Sequence, residues 1–201
     1  VISWEVVARA LKDREPLRVG TDVPRAAVAL VLREGEREGI ELLFIRRAEH
    51  EKDPWSGHVG FPGGRAEPDD ADLEATAVRE TREETGLDLV ENGERLGVLD
   101  EVKALARGRP VDLVVAPIVF RLRRRLDGTP NSEVVSLHWL PLAQLLAPGV
   151  RSTLQYQHAE TVLELPCLRI EGLVIWGLTY RMFESLALLL GDVPGQRPDL
   201  P

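Results

Sequence analysis

Residues 70–85 run without a proline or glycine, are rich in Ala, Glu and Arg, and stop at Gly86. That pattern predicts a helix closed by a C-terminal glycine. Immediately upstream, residues 50–70 are punctuated by Pro54, Gly57, Gly60, Pro62, Gly63, Gly64 and Pro68, which predicts a long loop holding a short strand over residues 58–61. A glycine-rich loop feeding one charged helix is the feature around which the rest of the chain has to be arranged.

The flanking pattern supplies a sheet for that helix. Residues 26–32 and 40–45 are β-branched or leucine-rich runs separated by a charged segment, so two strands and a solvated hairpin loop are expected, the first strand buried on both faces. Further strands are expected over residues 95–102, 111–122 and 135–140, with a basic turn at 107–110, and a hairpin over 161–175 turning at Glu171-Gly172. Helices are expected over residues 4–11, where Trp4, Val7, Ala8 and Leu11 fall at helical spacing, and over 142–146 and 178–190. The implied class is α+β, an α/β/α sandwich with a mixed β-sheet between helices. One domain over residues 26–190 is expected, with a helical extension at 1–25 and a mobile Pro-rich tail at 191–201. The apolar residues of the N-terminal helix suit either a homodimer contact or the domain's own core.

A formal net charge of -8 argues against a surface that gathers a nucleic acid polymer, because such binding rests on many Lys and Arg contacts to phosphate. A small ligand is expected instead. Acidity is compatible with a phosphorylated one, since bound divalent cations reverse the sign of a carboxylate-rich site. A single cysteine, Cys167, excludes an internal disulfide and a Cys-cluster metal site. With no apolar run long enough to span a bilayer and no signal-like start, a cytoplasmic protein without membrane attachment is expected.

At about 100° per residue, Glu80, Glu83 and Glu84 share one helical face. The opposite face would carry Ala71, Ala75 and Val78, small enough to pack closely on the sheet. Like charges in neighbouring turns destabilise a helix, and a cation held by hard oxygen ligands, Mg2+ or Mn2+, would offset that. The adjacent Gly63 and Gly64 permit close backbone approach, and the carbonyl in the Gly64 region is a further candidate ligand. The competing reading is a solvated acidic face paired with Arg79 and Arg82.

The stretch Gly64-x5-Asp70-x8-Arg79-Glu80-Thr81-Arg82-Glu83-Glu84-Thr85-Gly86-Leu87 resembles the signature of the Nudix hydrolase family, G-x5-E-x7-R-E-U-x-E-E-x-G-U, where U is bulky and apolar. Arg79, Glu80, Glu83, Glu84, Gly86 and Leu87 match. Thr81 stands where an apolar residue is usual, and the left half has Asp70 for Glu and one extra residue. That altered half resembles the coenzyme A pyrophosphatase branch, as do Leu42-Leu43-Phe44-Ile45-Arg46-Arg47-Ala48, Asp53-x3-Gly57-x3-Phe61-Pro62-Gly63-Gly64 and Ile175-Trp176-Gly177-Leu178-Thr179. Within those segments Arg47 replaces a serine and Asp53 an arginine.

The resemblance, covering roughly residues 26–190, implies a Nudix fold and metal ligands Glu80, Glu83, Glu84 and the Gly64 carbonyl, with Arg79 orienting the carboxylates. It implies hydrolysis of coenzyme A or its acyl derivatives to 3′,5′-ADP and 4′-phosphopantetheine or its acyl form. Arg47 and Asp53 favour another nucleoside diphosphate derivative, such as ADP-ribose, a dinucleotide or a deoxynucleoside triphosphate. A non-catalytic nucleotide-sensing domain is the third possibility, opposed by the intact glutamates. Glu133 is the first candidate for a general base, ahead of Glu101 and Asp112. His58 is a candidate substrate contact and Trp55, Phe61 and Trp176 are candidate stacking residues, whereas His50, His138 and His158 have no partner pattern.

Overall fold

A computed structural model of the chain describes residues 2–20, 23–36, 39–49, 56–106, 109–158 and 161–191. His50, Asp53, Trp55, residues 107–108 of the expected basic turn and residues 192–201 of the expected tail lie outside these, as does the side chain of His158.

The central sheet is built on β1 (Arg25–Glu34), whose side chains alternate between two cores as the period of two requires. Ala27, Ala29 and Val31 face one core with Leu43, Ile118 and Phe120. Ala26, Leu30 and Leu32 face the other with Leu42, Phe44 and Val119. Both faces of β1 are therefore buried, as its uninterrupted apolar run predicts. β1 pairs antiparallel with β2 (Ile40–Arg47) and parallel with β7 (Arg109–Leu122). β3 (Val59–Gly60) and β8 (Val134–Pro141) extend the sheet from β2, while β5 (Gly93–Val98) and β6 (Val102–Ala106) pair with β7.

The helix α2 (Leu73–Thr85) covers the first core, which includes its Ala77. On the other face lie α1 (Trp4–Leu11), α4 (Leu142–Leu145) and α5 (Gly177–Leu189). The sheet is thus mixed and sandwiched between helical layers, the architecture expected from the sequence. Val7 and Leu11 of α1 are buried in the domain's own core, and Trp4 donates its indole N–H to Glu34 at 2.6 Å.

Several elements depart from the expectations. Gly63–Arg65, read as loop, forms β4, antiparallel to β1. The expected strand over residues 95–102 is divided into β5 and β6, because residues between them engage the N-terminal segment: Asp100 accepts from the Leu17 N–H at 2.7 Å and Glu101 from the Val19 N–H at 2.7 Å. A short helix, α3 (Leu89–Asn92), precedes β5, started by Asp88, whose carboxylate accepts from the Val90 and Glu91 N–H groups. The expected hairpin gains a third strand. β9 (Arg151–His158), β10 (Thr161–Ile170) and β11 (Leu173–Trp176) form a separate antiparallel sheet, turning at Glu171 and Gly172, both at positive φ (50° and 78°). Sequence periodicity misses β9 because both faces of Arg-Ser-Thr-Leu-Gln-Tyr-Gln-His carry polar residues.

The packing face of α2 also differs from expectation. Ala71 precedes the helix and is exposed, and Ala75 and Val78 are only half-buried. The buried residues are Thr76, Ala77, Thr81, Glu84 and Thr85. Hydroxyls can sit there because Thr81 Oγ1 donates to the Ala77 carbonyl and Thr85 Oγ1 to the Thr81 carbonyl, each at 2.6 Å. Thr81 therefore occupies the usual apolar position with its polar atom satisfied inside the helix.

Candidate active site

The helix that carries the acids is fixed at both ends. Asp72 accepts from the Ala75 N–H at 2.8 Å at its start, and Gly86, at φ 68°, donates its N–H to the Arg82 carbonyl at its end. The loop after β7 then docks on the same C-terminal turn: the Thr129 N–H donates to the Thr85 carbonyl at 2.7 Å and the Asn131 N–H to the Glu84 carbonyl at 3.2 Å. A Cβ on Gly128, at φ 80°, would lie 2.8 Å from the Thr85 carbonyl oxygen, so this approach requires glycine. In this way residues far apart in sequence meet at one place.

Arg79 organises the acids. Its Nε donates to Asp70 Oδ1 and its Nη2 to Asp70 Oδ2, both at 3.0 Å. Nη1 reaches Glu80 at 2.9 Å and Glu83 at 3.3 Å, and Nη2 also donates to the Arg65 carbonyl at 3.1 Å. All five guanidinium N–H directions are engaged. Asp70 is buried and also accepts from the Glu67 N–H and the Thr76 hydroxyl, each at 2.9 Å. The hydrogen bonds from Arg79 are the main reason its carboxyl is held well below the usual carboxylate range.

Glu84 points inward, accepting from the Gly63 N–H at 2.9 Å and from Arg47 Nη1 at 3.2 Å. Burial pushes its carboxyl from 4.5 up to about 7; the Gly63 bond and Arg47 oppose the rise, while Glu80 and Glu133 add to it. Burial also raises Glu80, against the hydrogen bond from Arg79. Gly64 lies against Glu80 so closely that a Cβ there would run into the carboxylate. Glu83 is half-exposed and is not part of the cavity lining.

Gly63, Gly64, Glu80 and Glu84 open onto a cavity of about 740 Å³. One wall carries Gly63, Gly64, Glu80, Glu84, Arg47, Arg65 and Glu133. The other comes from the second sheet and α5, and includes Tyr156, Leu165, Trp176 and Arg181. The Trp176 ring lies 4.8 Å from His58 and 5.3 Å from Tyr156 between centroids. Thr179 at the start of α5 donates to the Val59 carbonyl at 3.0 Å, which ties this wall to the glycine-rich loop.

Among the described residues, no three His, Cys, Asp or Glu side chains close into a finished metal cage. The acids are held by guanidinium groups and a backbone N–H instead. Glu80 and Glu84 nonetheless fit a divalent cation, because two desolvated carboxylates whose ionisation is opposed by burial, faced by a third, gain most from one. Their hard oxygen atoms suit Mg2+ or Mn2+.

The structure brings together Gly64, Arg79, Glu80, Glu83, Glu84 and, from another loop, Glu133. It separates the alternatives. The Glu101 carboxylate is bound to Arg25 and the Val19 N–H, Asp112 lies outside the cavity lining, and His138 pairs with Ser136 at 2.8 Å. Phe61 reaches the cavity but packs on Phe44, with centroids 4.9 Å apart. Sequence reasoning missed Tyr156, Arg65 and Arg181, and treated Arg47 only as a mismatch, although its partner is Glu84.

Residues 23–163 match the NUDIX domain family. Over 121 residues, 57% of this chain, the sequence is 40% identical to an uncharacterized protein of Schizosaccharomyces pombe, and the match spans 36% of that protein's length. Over 153 residues it is 33% identical to a protein of Salmonella paratyphi B described as an uncharacterized Nudix hydrolase, NudL, covering 76% of this chain and 77% of the relative. In fold it is similar to the crystal structure of RenU, a Nudix hydrolase from M. smegmatis, with a TM-score of 0.54 at 16% identity, covering 86% of this chain and 88% of that one. The chain belongs to the Nudix family of pyrophosphohydrolases.

Proposed function

We propose that this Nudix family member is a metal-dependent pyrophosphohydrolase of coenzyme A or its acyl derivatives, releasing 3′,5′-ADP and 4′-phosphopantetheine or its acyl form. The observation that carries this reading is one cavity with two unlike walls, carboxylates on α2 facing Trp176, Tyr156 and Leu165. Such a space suits a pyrophosphate whose two substituents are large and partly apolar. The altered left half of the signature and the segments around Phe61 and Trp176 support the coenzyme A branch.

In this reading Glu80, Glu83, Glu84 and the Gly64 carbonyl would hold Mg2+ or Mn2+, which would supply charge neutralisation at the pyrophosphate and a more acidic attacking water. Arg79, itself fixed by Asp70, holds Glu80 and Glu83 in place. Glu133 takes the proton as water adds across the P–O–P linkage, its backbone fixed by donation from the Ala48 N–H to the Glu133 carbonyl at 2.8 Å. Arg47 and Arg65 lie beside the acids and meet phosphate oxygens. The ligand is a small nucleotide, in the cytoplasm, with no nucleic acid polymer involved; among the described residues no helix is long and apolar enough to cross a membrane.

A second reading, hydrolysis of another nucleoside diphosphate derivative such as ADP-ribose, is favoured by Arg47, which stands where that branch has serine and pairs with Glu84. Hydrolysis with Mg2+ or Mn2+ of coenzyme A, acetyl-coenzyme A, ADP-ribose, diadenosine polyphosphates and deoxynucleoside triphosphates separates the two. The highest kcat/KM on coenzyme A, with 3′,5′-ADP as a product, supports the first; a higher value on another substrate rejects it in favour of the second.

A further inference from the structure

Each of three arginines in or beside the cavity has a carboxylate partner: Arg79 pairs with Asp70, Arg47 with Glu84 and Arg151 with Glu184. Arg181 differs. It lines the cavity from α5 and is half-buried, its Nε is buried without a hydrogen-bond partner, and no ion pair reaches it among the described residues. The acid placed to pair with it within α5 is Glu184, three residues on, but Arg151 Nη1 holds Glu184 at 2.6 Å. Burial lowers the pKa of Arg181, and no nearby acid opposes the shift.

A buried guanidinium N–H without a protein partner is costly unless an acceptor completes it. Its place in the cavity indicates which part of a ligand that acceptor belongs to. Arg181 is on the wall that carries Trp176 and Tyr156, where a base can stack, with His58 of the glycine-rich loop against the Trp176 ring; the acids that meet a pyrophosphate are on the other wall. The ribose adjoins the base in any nucleotide, so a cation on the aromatic wall meets substituents of that sugar.

We propose that Arg181 binds a phosphate monoester on the ribose of the substrate, so that the enzyme selects nucleotides carrying a second phosphate away from the pyrophosphate that is cleaved. A planar fork of N–H donors suits the several oxygens of a monoester better than the compact ammonium of lysine does. The inference rests on the pyrophosphohydrolase reading for its substrate, and extends it by naming the residue that sets specificity.

The test is binding of 3′,5′-ADP, 2′,5′-ADP and ADP to the full chain by calorimetry, for wild type, Arg181→Met and Arg181→Lys. Wild type binds one of the two bisphosphates about 10- to 100-fold more tightly than ADP, the range expected for a charged hydrogen-bonded contact, and which one is preferred identifies the ribose position. In Arg181→Met that ratio collapses toward one, and in Arg181→Lys it is intermediate. Thermal melting of Arg181→Met stays at or above wild type, because the substitution removes an unpaired buried donor. Equal affinities of wild type for all three ligands, or an Arg181→Met variant that weakens all three alike, overturns the proposal; if Arg181→Met does not fold, Arg181→Lys must still lower the ratio. Turnover of coenzyme A against 3′-dephospho-coenzyme A separates the two layers. Where 3′,5′-ADP is the preferred bisphosphate, hydrolysis of both at equal kcat/KM in wild type overturns the role of Arg181 and keeps the hydrolase, whereas a bisphosphate preference without turnover overturns the hydrolase and keeps the anion site.

Discussion

Asp70 and Arg79 face each other in a two-point pair, Nε to Oδ1 and Nη2 to Oδ2, both at 3.0 Å. Asp70 stands where the family signature has glutamate and one residue further from Arg79, and it still holds the guanidinium that orients Glu80 and Glu83. Asp70→Asn should therefore lower kcat about 10- to 100-fold with a smaller effect on KM, as expected when a group that holds the proposed ligands Glu80 and Glu83 through Arg79 is lost. An unchanged kcat would show that Arg79 keeps its position without Asp70.

The same pair gives a pH-dependent stability. Because the folded pKa of Asp70 is depressed, its contribution is present above the ordinary value near 3.8 and is lost as pH falls through the lower folded value. Wild type should exceed Asp70→Asn by about 1–3 kcal/mol at neutral pH, and the two should converge in strong acid. Denaturant unfolding at several pH values checks this.

Glu84 behaves in the opposite sense. Burial raises its carboxyl from 4.5 to about 7, so in metal-free protein its contribution is fully present below the unfolded pKa and declines as pH rises through the folded one. The loss should be on the order of 1–3 kcal/mol between about pH 4.5 and 7. A divalent cation favours the ionised form, so the rise in Tm caused by Mg2+ or Mn2+ should grow over the same range. In Glu84→Gln both trends should flatten; a metal-induced shift that does not depend on pH would contradict the assignment.

Gly64 and Gly63 should respond differently to alanine. At Gly64 the added Cβ meets the Glu80 carboxylate, a side chain that can move, so Gly64→Ala should lose activity by more than about tenfold while costing little stability. At Gly63, with φ 152°, the Cβ would lie 2.6 Å from the Val28 Cα, so Gly63→Ala should destabilise the fold by about 1–3 kcal/mol. Melting temperatures with parallel kcat values distinguish the two.

The α2 helix was legible because its closing glycine, its acids and its preceding glycines all lie within one stretch of sequence, although it starts at Leu73, behind Asp72, and not at residue 70. So was the sandwich, since the apolar run of β1 can be buried on both faces only between two layers. What escaped was non-local. Glu84 reads as one of three exposed acids at helical spacing, yet the Gly63 N–H and Arg47 draw it inside. Thr81 reads as a defect in an apolar position until its hydroxyl is seen to bond to the Ala77 carbonyl. β9 lacks an apolar face of its own, and its pairing with β10 places Tyr156 in the cavity. Arg181 reads as the natural i, i+3 partner of Glu184 on the same helix, and only the capture of Glu184 by Arg151 leaves it without an ion pair among the described residues.

The most direct measurement is metal-dependent turnover of the best substrate by wild type, Glu84→Gln and Glu80→Gln, with Mg2+ or Mn2+ varied at fixed pH. Pyrophosphate hydrolysis organised by the acids of α2 predicts a fall in kcat/KM of about 10²- to 10³-fold in each variant, accompanied by weaker apparent metal affinity. Wild-type turnover that is unaffected by EDTA, or that survives both substitutions, would contradict the account.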